Sequence, residues 1–320
     1  MKKKVLIIGY SSEYTIHHFH KCAEDAGNSC DILDFDLLLK SNEYSITLKD
    51  KNLEIVLDGI VYNFNSYQGF YCRYYYKDSG NSNRNQMLNK TIDILIAYLR
   101  LTSKRVANRP GAGSSNYSKL AHILDLRECG FRIPLTYILG DTESAKVVLT
   151  DSIKWISKGC SSYRTRAVNF DETLFANLDL LKYGPTLFQK KITGPDIRVH
   201  VIGNKPLAVK INSNNVDYRY DTKNNRYEPI DVPYEILTAC IKFCQQENLA
   251  FAGFDFKVDD TGLWYILEAN PMPGFEFYDK HLNNQIAKEL YNYLATPNIP
   301  LLDLAIDRPF IPEKRRKKFS

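Results

Sequence analysis

The sequence predicts an α/β protein of two or three subdomains, and three observations carry that reading. The chain opens on a strand–helix–strand rhythm. Its middle is a run of short strands divided by small-residue turns. Near the C-terminus a hairpin gathers three oxygen-bearing side chains at one strand end.

Val5-Leu6-Ile7-Ile8, closed by Gly9, is a short apolar strand. An amphipathic helix follows around His17 to Ala26, then a second strand from Cys30 to Phe35 that ends in acids. This rhythm indicates a doubly wound α/β domain. Gly9 lacks the GxGxxG spacing of a dinucleotide site, so it reads as a strand-ending turn. Two of His17, His18 and His20 are adjacent and cannot share a helix face, and no carboxylate cluster lies nearby in sequence, so a metal there is not expected. Phe70 to Tyr76 looks like a strand running into a loop, with Arg73 either an anion contact or a surface charge stacked on tyrosines.

From Met87 to Leu101, Leu88, Ile92, Leu95, Ile96 and Leu99 recur at helical spacing. Arg105 to Pro110 is a short strand and turn. After Gly111-Ala112-Gly113-Ser114-Ser115 comes a helix from about Tyr117 to Cys129, closed by Gly130. Ile133 to Thr136 starts the next strand. Two hairpins follow: Trp155–Lys158 with Thr165–Phe170 around Gly159-Cys160-Ser161-Ser162, and Thr186–Ile192 with Ile197–Ile202 around Thr193-Gly194-Pro195-Asp196. Leu207 to Asn212, a polar excursion to Asp231 and a helix from Ile236 to Cys244 lead into the last hairpin. No repeat of fixed period is evident.

That hairpin is the most informative segment. A strand carrying Asp255 meets a turn at Asp259-Asp260-Thr261-Gly262, and an apolar return strand ends in Glu268, Asn270 and Pro271. Alternation projects Glu268 and Asn270 to one side, and the hairpin brings Asp255 beside them. Two carboxylates and an amide oxygen suit a hard cation such as Mg2+ that also takes the oxygens of a nucleotide. The plain alternative is an ordinary turn with Glu268 solvated and Asn270 starting a loop. Against it, Glu268 ends the apolar run Trp264-Tyr265-Ile266-Leu267, where an unpaired carboxylate is costly.

Composition sets the outer bounds. A chain of 320 residues, 44% of them apolar, can bury substantial cores. No apolar run reaches bilayer length, and Met1-Lys2-Lys3-Lys4 leads straight into a strand, so a soluble cytoplasmic protein with no membrane partner is expected. Seven cysteines (22, 30, 72, 129, 160, 240 and 244) without a CxxC pair imply free thiols in a reducing compartment. Cys240 and Cys244, one turn apart, read as a buried helix face rather than zinc ligands. The net charge of +5 is modest, and Lys314-Arg315-Arg316-Lys317-Lys318 reads as a solvated tail. Without aromatic interleaving it is no nucleic-acid platform, and nucleic acid is not an expected partner.

A small loop behind Lys158 with Arg164 and Arg166 downstream can cover a polyphosphate, although alone it is as well a plain turn. The order of the parts is more telling. A helix-borne Lys119 precedes Lys158 and its loop, then Gln189-Lys190-Lys191-Ile192, then Gly194-Pro195-Asp196, then the Asp255/Glu268/Asn270 hairpin. This order resembles the ATP-grasp superfamily of carboxylate ligases. The closest branch holds the ribosomal-protein glutamate ligase and the microviridin-type peptide-crosslinking (graspetide) ligases. The resemblance spans roughly residues 1–295 and is strongest from Thr186 onward.

It implies an ATP-grasp fold: an N-terminal doubly wound domain (1–110), a linker helix with a small α+β lid (111–192), and a C-terminal antiparallel sheet domain with the metal site (193–300), before a basic tail (301–320). It further implies that Lys119 and Lys158 contact nucleotide phosphates and that the Gly159–Ser162 loop, with Ser161 and Ser162, closes over them. Gln189, Lys190, Lys191 and Ile192 form the hinge under adenine, and Asp196 holds the ribose. Arg198 and Lys210 face the γ-phosphate and the acyl phosphate. Asp255, Glu268 and Asn270 bind Mg2+, with two ions per site expected. Arg219, in Asp217-Tyr218-Arg219 where the graspetide branch has Asp-Trp-Arg, is a further phosphate or substrate candidate. Two departures stand out: the small loop has a single glycine, and Lys190 replaces the acid that usually follows the hinge glutamine.

The implied activity is ATP-dependent joining of a carboxylate to an amine or a hydroxyl through an acyl phosphate, on a peptide or small amino-acid substrate. Relatives often assemble as dimers or tetramers, so a homodimer or homotetramer is the expected assembly. An ATP-grasp kinase and a non-catalytic nucleotide-binding protein are the rival expectations.

Overall fold

The computed structural model describes residues 4–50, 52–113, 118–149, 154–160, 167–171, 176–213 and 225–296. Ser161, Ser162, Arg164, Arg166, Arg219 and the basic tail lie outside these residues.

Four parallel strands form the N-terminal sheet, in the order β2 (Ser29–Asp34), β1 (Lys4–Gly9), β6 (Gly69–Arg73), β7 (Arg105–Ala107). A parallel sheet is covered on both faces, which is why β1 is apolar at every position from Val5 to Ile8. Val5 and Ile7 meet helix α1 (Tyr14–Asp25) through Ile16 and Phe19, while Leu6 and Ile8 share a core with Leu88, Ile92 and Leu95 of α3 (Ser82–Leu101). A short helix α2 (Phe35–Leu38) and an antiparallel meander, β3 (Tyr44–Lys49), β4 (Asn52–Leu57) and β5 (Ile60–Asn63), stand between β2 and β6.

A second sheet has the order β10 (Val168–Asn169), β9 (Trp155–Gly159), β11 (Thr186–Lys190), β8 (Thr136–Leu139), and is antiparallel. One face packs Leu139, Trp155 and Phe188 against Ala145 of α5 (Thr142–Val148) and Leu178 and Leu181 of a 3-10 turn. Alternation leaves Thr136, Lys158, Leu187 and Gln189 on the other face.

The third sheet is five antiparallel strands: β14 (Arg226–Ile230), β13 (Lys205–Asn212), β12 (Asp196–Ile202), β15 (Phe251–Val258), β16 (Trp264–Asn270). Its apolar face carries Val199, Phe254 and Ala269 and is covered by Ala239, Cys240, Phe243 and Cys244 of α6 (Tyr234–Gln246), so the paired cysteines do line a buried helix face. Helix α4 (Lys119–Glu128) contacts β16, the edge strand. Beyond α7 (Glu276–Asp279), α8 (Gln285–Ala295) returns to the N-terminal sheet. There Ile286, Leu290 and Leu294 join Val5, Ile7, Ile202, Val209 and Phe251 in one core.

Two long-range polar contacts fix this junction. Asp279, fully buried, accepts from the backbone amides of Ile286 and Ala287 at 2.6 and 3.1 Å and lies 2.9 Å from His18 Nε2. Cys22 Sγ is 3.7 Å from the same nitrogen, the one His/Cys/acid trio with metal-like spacing among the described residues. Both Asp279 oxygens serve α8 as an N-terminal cap, which accounts for the trio without an ion. Of the two readings for Arg73 the anion contact holds, but its anion is a carboxylate of the same chain and the side chain is largely buried. Arg73 pairs with Glu13 at 2.5 Å and donates to the carbonyls of Met272 and Pro273, both at 2.9 Å, strapping the loop beyond Asn270 to β6. Among the described residues no helix is long and apolar enough to cross a membrane.

Candidate active site

Asp255, Glu268 and Asn270 do share a face of the third sheet, but simple alternation does not put them there. From the turn, Val258 pairs with Trp264 and Phe256 with Ile266, so regular pairing would set Leu267 against Asp255. Glu268 would then fall on the apolar face with Ile266. A β-bulge between Asp255 and Phe256 shifts the register, so Asp255 pairs with Glu268 and Gly253 with Asn270. Ile266 and Ala269 both stay buried, while Glu268 turns to the polar face. Asn270 Oδ1 accepts from Met272 N at 2.9 Å, curling the strand end into the loop that Arg73 holds.

Each carboxylate has a cation. Arg198, directly opposite Asp255, places Nη1 2.8 Å from Asp255 Oδ1. Its guanidinium lies over the Tyr278 ring at 5.5 Å, and Nε donates to buried His200 Nε2 at 3.4 Å. Burial, then the Arg198 charge, keeps His200 neutral by holding its pKa well below the usual histidine value. Gly253 makes room for this arginine: a Cβ there would lie 2.3 Å from Arg198 Nη2. Lys119 Nζ is 3.5 Å from Glu268 Oε1. Two acids, an amide and two balancing cations form a donor set that fits a hard cation with a polyphosphate.

His122 sits one turn after Lys119 on α4 and is 2% exposed. Its Nε2 accepts from Ala269 N at 3.0 Å, and burial holds its pKa down to about 4, with Glu268 opposing and Lys119 and Lys158 assisting. The unfolded chain therefore binds a proton that the folded state refuses. Stability is complete above about pH 6.5 and falls toward pH 4 by up to about 3 kcal/mol for this group. Urea unfolding across that range in wild type and His122→Gln measures it, the variant lacking this share of the slope.

Lys158 faces the third sheet's site: its charge reaches His122, and Nζ lies 3.5 Å from Gln189 Oε1. Gln189 Nε2 donates to Thr136 Oγ1 at 2.9 Å, fixing the hinge glutamine. Lys190 is exposed, Lys191 Nζ donates to Asn169 Oδ1 at 3.0 Å, and Ile192 is buried. Asp196 is buried and pairs at 2.8 Å with Lys257, its opposite neighbour on β15. Lys210 departs from expectation. It pairs with Ile197, one position out of phase with Arg198, so the two project from opposite faces of the sheet. Gly253, His200, His122 and Lys257 were not singled out from sequence. Only Lys257 had a local signal, the equal offset of Asp196 and Lys257 from Arg198 and Asp255.

The fold matches an ATP-grasp ligase from Chryseobacterium gregarium, RiPP-associated and solved with ADP and a leader and core peptide, at TM-score 0.75 and 20% identity over 91% of this chain and 96% of that one. It matches the macrocyclase MdnC of Microcystis aeruginosa MRC, bound with precursor peptide MdnA, at TM-score 0.73 and 19% identity over 92% and 99%. The family model for the RimK-like ATP-grasp domain matches residues 186–294. These residues are a RimK-like ATP-grasp domain. The matched segment starts at β11 and includes Asp255, Glu268 and Asn270 as well as Asp196, Arg198 and Lys257. A D-alanine–D-alanine ligase of Leuconostoc citreum (strain KM20) is 27% identical over 216 residues, 58% of this chain. The match spans about half of that relative, 56% of its length.

Proposed function

We propose that this ATP-grasp protein is a ligase that uses ATP to join a carboxylate to an amine, or to a hydroxyl, through an acyl phosphate. The observation that carries this reading is the Asp255–Glu268 pair on adjacent strands, with Asn270 beside it and Arg198 and Lys119 balancing the acids. The peptides named with the two structural relatives support a peptide as the carboxylate substrate.

A carboxylate is a poor electrophile. Transfer of the γ-phosphoryl group of ATP to its oxygen releases ADP and creates a good leaving group. The amine or hydroxyl then attacks the carbonyl carbon, loses its proton and expels phosphate. Mg2+, two ions in our reading, would be held by Asp255, Glu268 and Asn270 and would neutralise charge on the phosphate chain. Arg198 holds the transferring group in line, while Lys119 and Lys158 approach it from α4 and the lid. Lys210 drops out of this set because it projects from the other face. The hinge from Gln189 to Ile192 receives adenine, with Asp196 at the ribose. Arg219, Ser161 and Ser162 stay candidates for substrate and phosphate contacts. The second sheet closes the site against water, which protects the acyl phosphate from hydrolysis. We assign the reaction to the cytoplasm on the seven free thiols.

Mass spectrometry tests the bond formed. Incubation with Mg·ATP and an acidic peptide is expected to release ADP and phosphate and to leave a product lighter by water. A product heavier by phosphate would make the protein a kinase instead.

A further inference from the structure

We propose that His122 is a positioning residue for the strand that carries Glu268 and Asn270. The inference rests on the ligase reading, because it concerns how that site is held. β16 is the sheet edge, so its outward-facing amides have no neighbouring strand to bond. Beside the bulge, two of them find acceptors in the segment of α4 and its exit. Ile266 N donates to the carbonyl of Arg132 at 3.0 Å, and Ala269 N donates to His122 Nε2 at 3.0 Å. In a regular strand outward amides recur every second residue; here they are three apart because the bulge lies between them.

Ala269 lies between Glu268 and Asn270, so its amide anchors the residue that fixes both. A bulge re-aims Glu268 only while it is held, and an edge strand is where a register slips most readily. His122 supplies the hold with a neutral ring, packed edge-on to Phe243 with centroids 5.7 Å apart. Lys119, one turn earlier, meets Glu268 itself. α4 therefore grips β16 twice, once at a side chain and once at the backbone. A positively charged ring would have no lone pair for Ala269 N, and a smaller side chain would not reach it.

Two variants separate this role from packing. His122→Phe keeps a ring against Phe243 and removes the acceptor, whereas His122→Gln keeps an acceptor at the reach of Nε2. Calorimetry with Mg·ADP and hydrogen exchange at Ala269 are the readouts. His122→Phe is expected to weaken Mg·ADP binding about tenfold and to speed Ala269 exchange, with His122→Gln within about twofold of wild type. Wild-type affinity in His122→Phe, or a loss in His122→Gln equal to that in His122→Phe, overturns the proposal. Should neither variant fold, nitrogen NMR of the wild-type ring decides: an unprotonated Nε2 coupled to the Ala269 amide supports it and a protonated Nε2 overturns it. A wild-type protein that does not bind Mg·ADP sinks the ligase reading itself, an outcome distinct from variants that bind alike.

Discussion

Asp255→Asn combined with Glu268→Gln is expected to abolish ADP formation from Mg·ATP while the protein stays folded. The two carboxylates are direct cross-strand neighbours, and each faces a cation, Arg198 at 2.8 Å and Lys119 at 3.5 Å. The amides preserve shape and hydrogen bonding but remove two negative charges from one face. Arg198 and Lys119 then repel any divalent cation brought to that face, and on the proposed reading the charge that would organise the phosphate chain is lost. Preorganised electrostatics of this kind carries about a thousandfold or more of rate, so turnover should fall below detection. Arg198, with a side chain only 6% exposed, loses its ionic partner, so a stability loss of about 2 kcal/mol accompanies the change. A coupled ADP assay and circular dichroism together check the result. Wild-type ADP formation by the double variant would leave the proposed metal set without a role.

Gly253→Ala is expected to act through Arg198 without adding or removing any charge. A Cβ at this position lies 2.3 Å from Arg198 Nη2, 2.8 Å from its Cζ and 2.8 Å from Pro273 Cβ. None of the three can stay. The guanidinium must leave the pocket between Gly253 and Tyr278, and the 2.8 Å bond to Asp255 breaks as it goes. Overpacking of this kind costs about 1–3 kcal/mol. Because the transferring group must be held in line, turnover should fall about a hundredfold. Adding Arg198→Ala to Gly253→Ala relieves the clash with the guanidinium and leaves only that with Pro273, so the double variant should regain part of its stability against urea without regaining activity. Full activity in Gly253→Ala alone would mean that Arg198 is not held by this contact.

Local chemistry was readable in several segments, but the expected hairpin of Thr186–Ile192 with Ile197–Ile202 does not form, because β11 and β12 belong to different sheets, a choice made by their distant partners. Val5 to Ile8 shows its burial in its composition, Cys240 and Cys244 show theirs in their spacing, and the Asp259–Gly262 turn needs only its own residues: Asp259 Oδ1 accepts from Thr261 N and Leu263 N, and Gly262 takes φ +84°. The order of Lys119, Lys158, Gln189, Asp196 and the final hairpin was enough to point to an ATP-grasp fold. The meander at 44–63 had a readable alternation in β4, where Leu53, Ile55 and Leu57 are buried, whereas β14 escaped because it is polar and half-exposed, with Pro229 inside it where only an edge strand tolerates it. Helix α8 had a signal that passed unread, the helical spacing of Ile286, Leu290 and Leu294.

Composition and residue order settle the inventory: which acids, cations and amides exist, and roughly which strand or helix bears each. Phase and partnership come from the folded packing alone. The bulge turns Glu268 to the polar face, pairing puts Lys210 behind the sheet, and packing brings His122, His200 and Gly253 to the acids. The physical reason is that a strand's side chains change face with every one-residue shift of register. Register is set by cross-strand hydrogen bonds and by the cores on either side, which join residues as far apart as Val5 and Leu290.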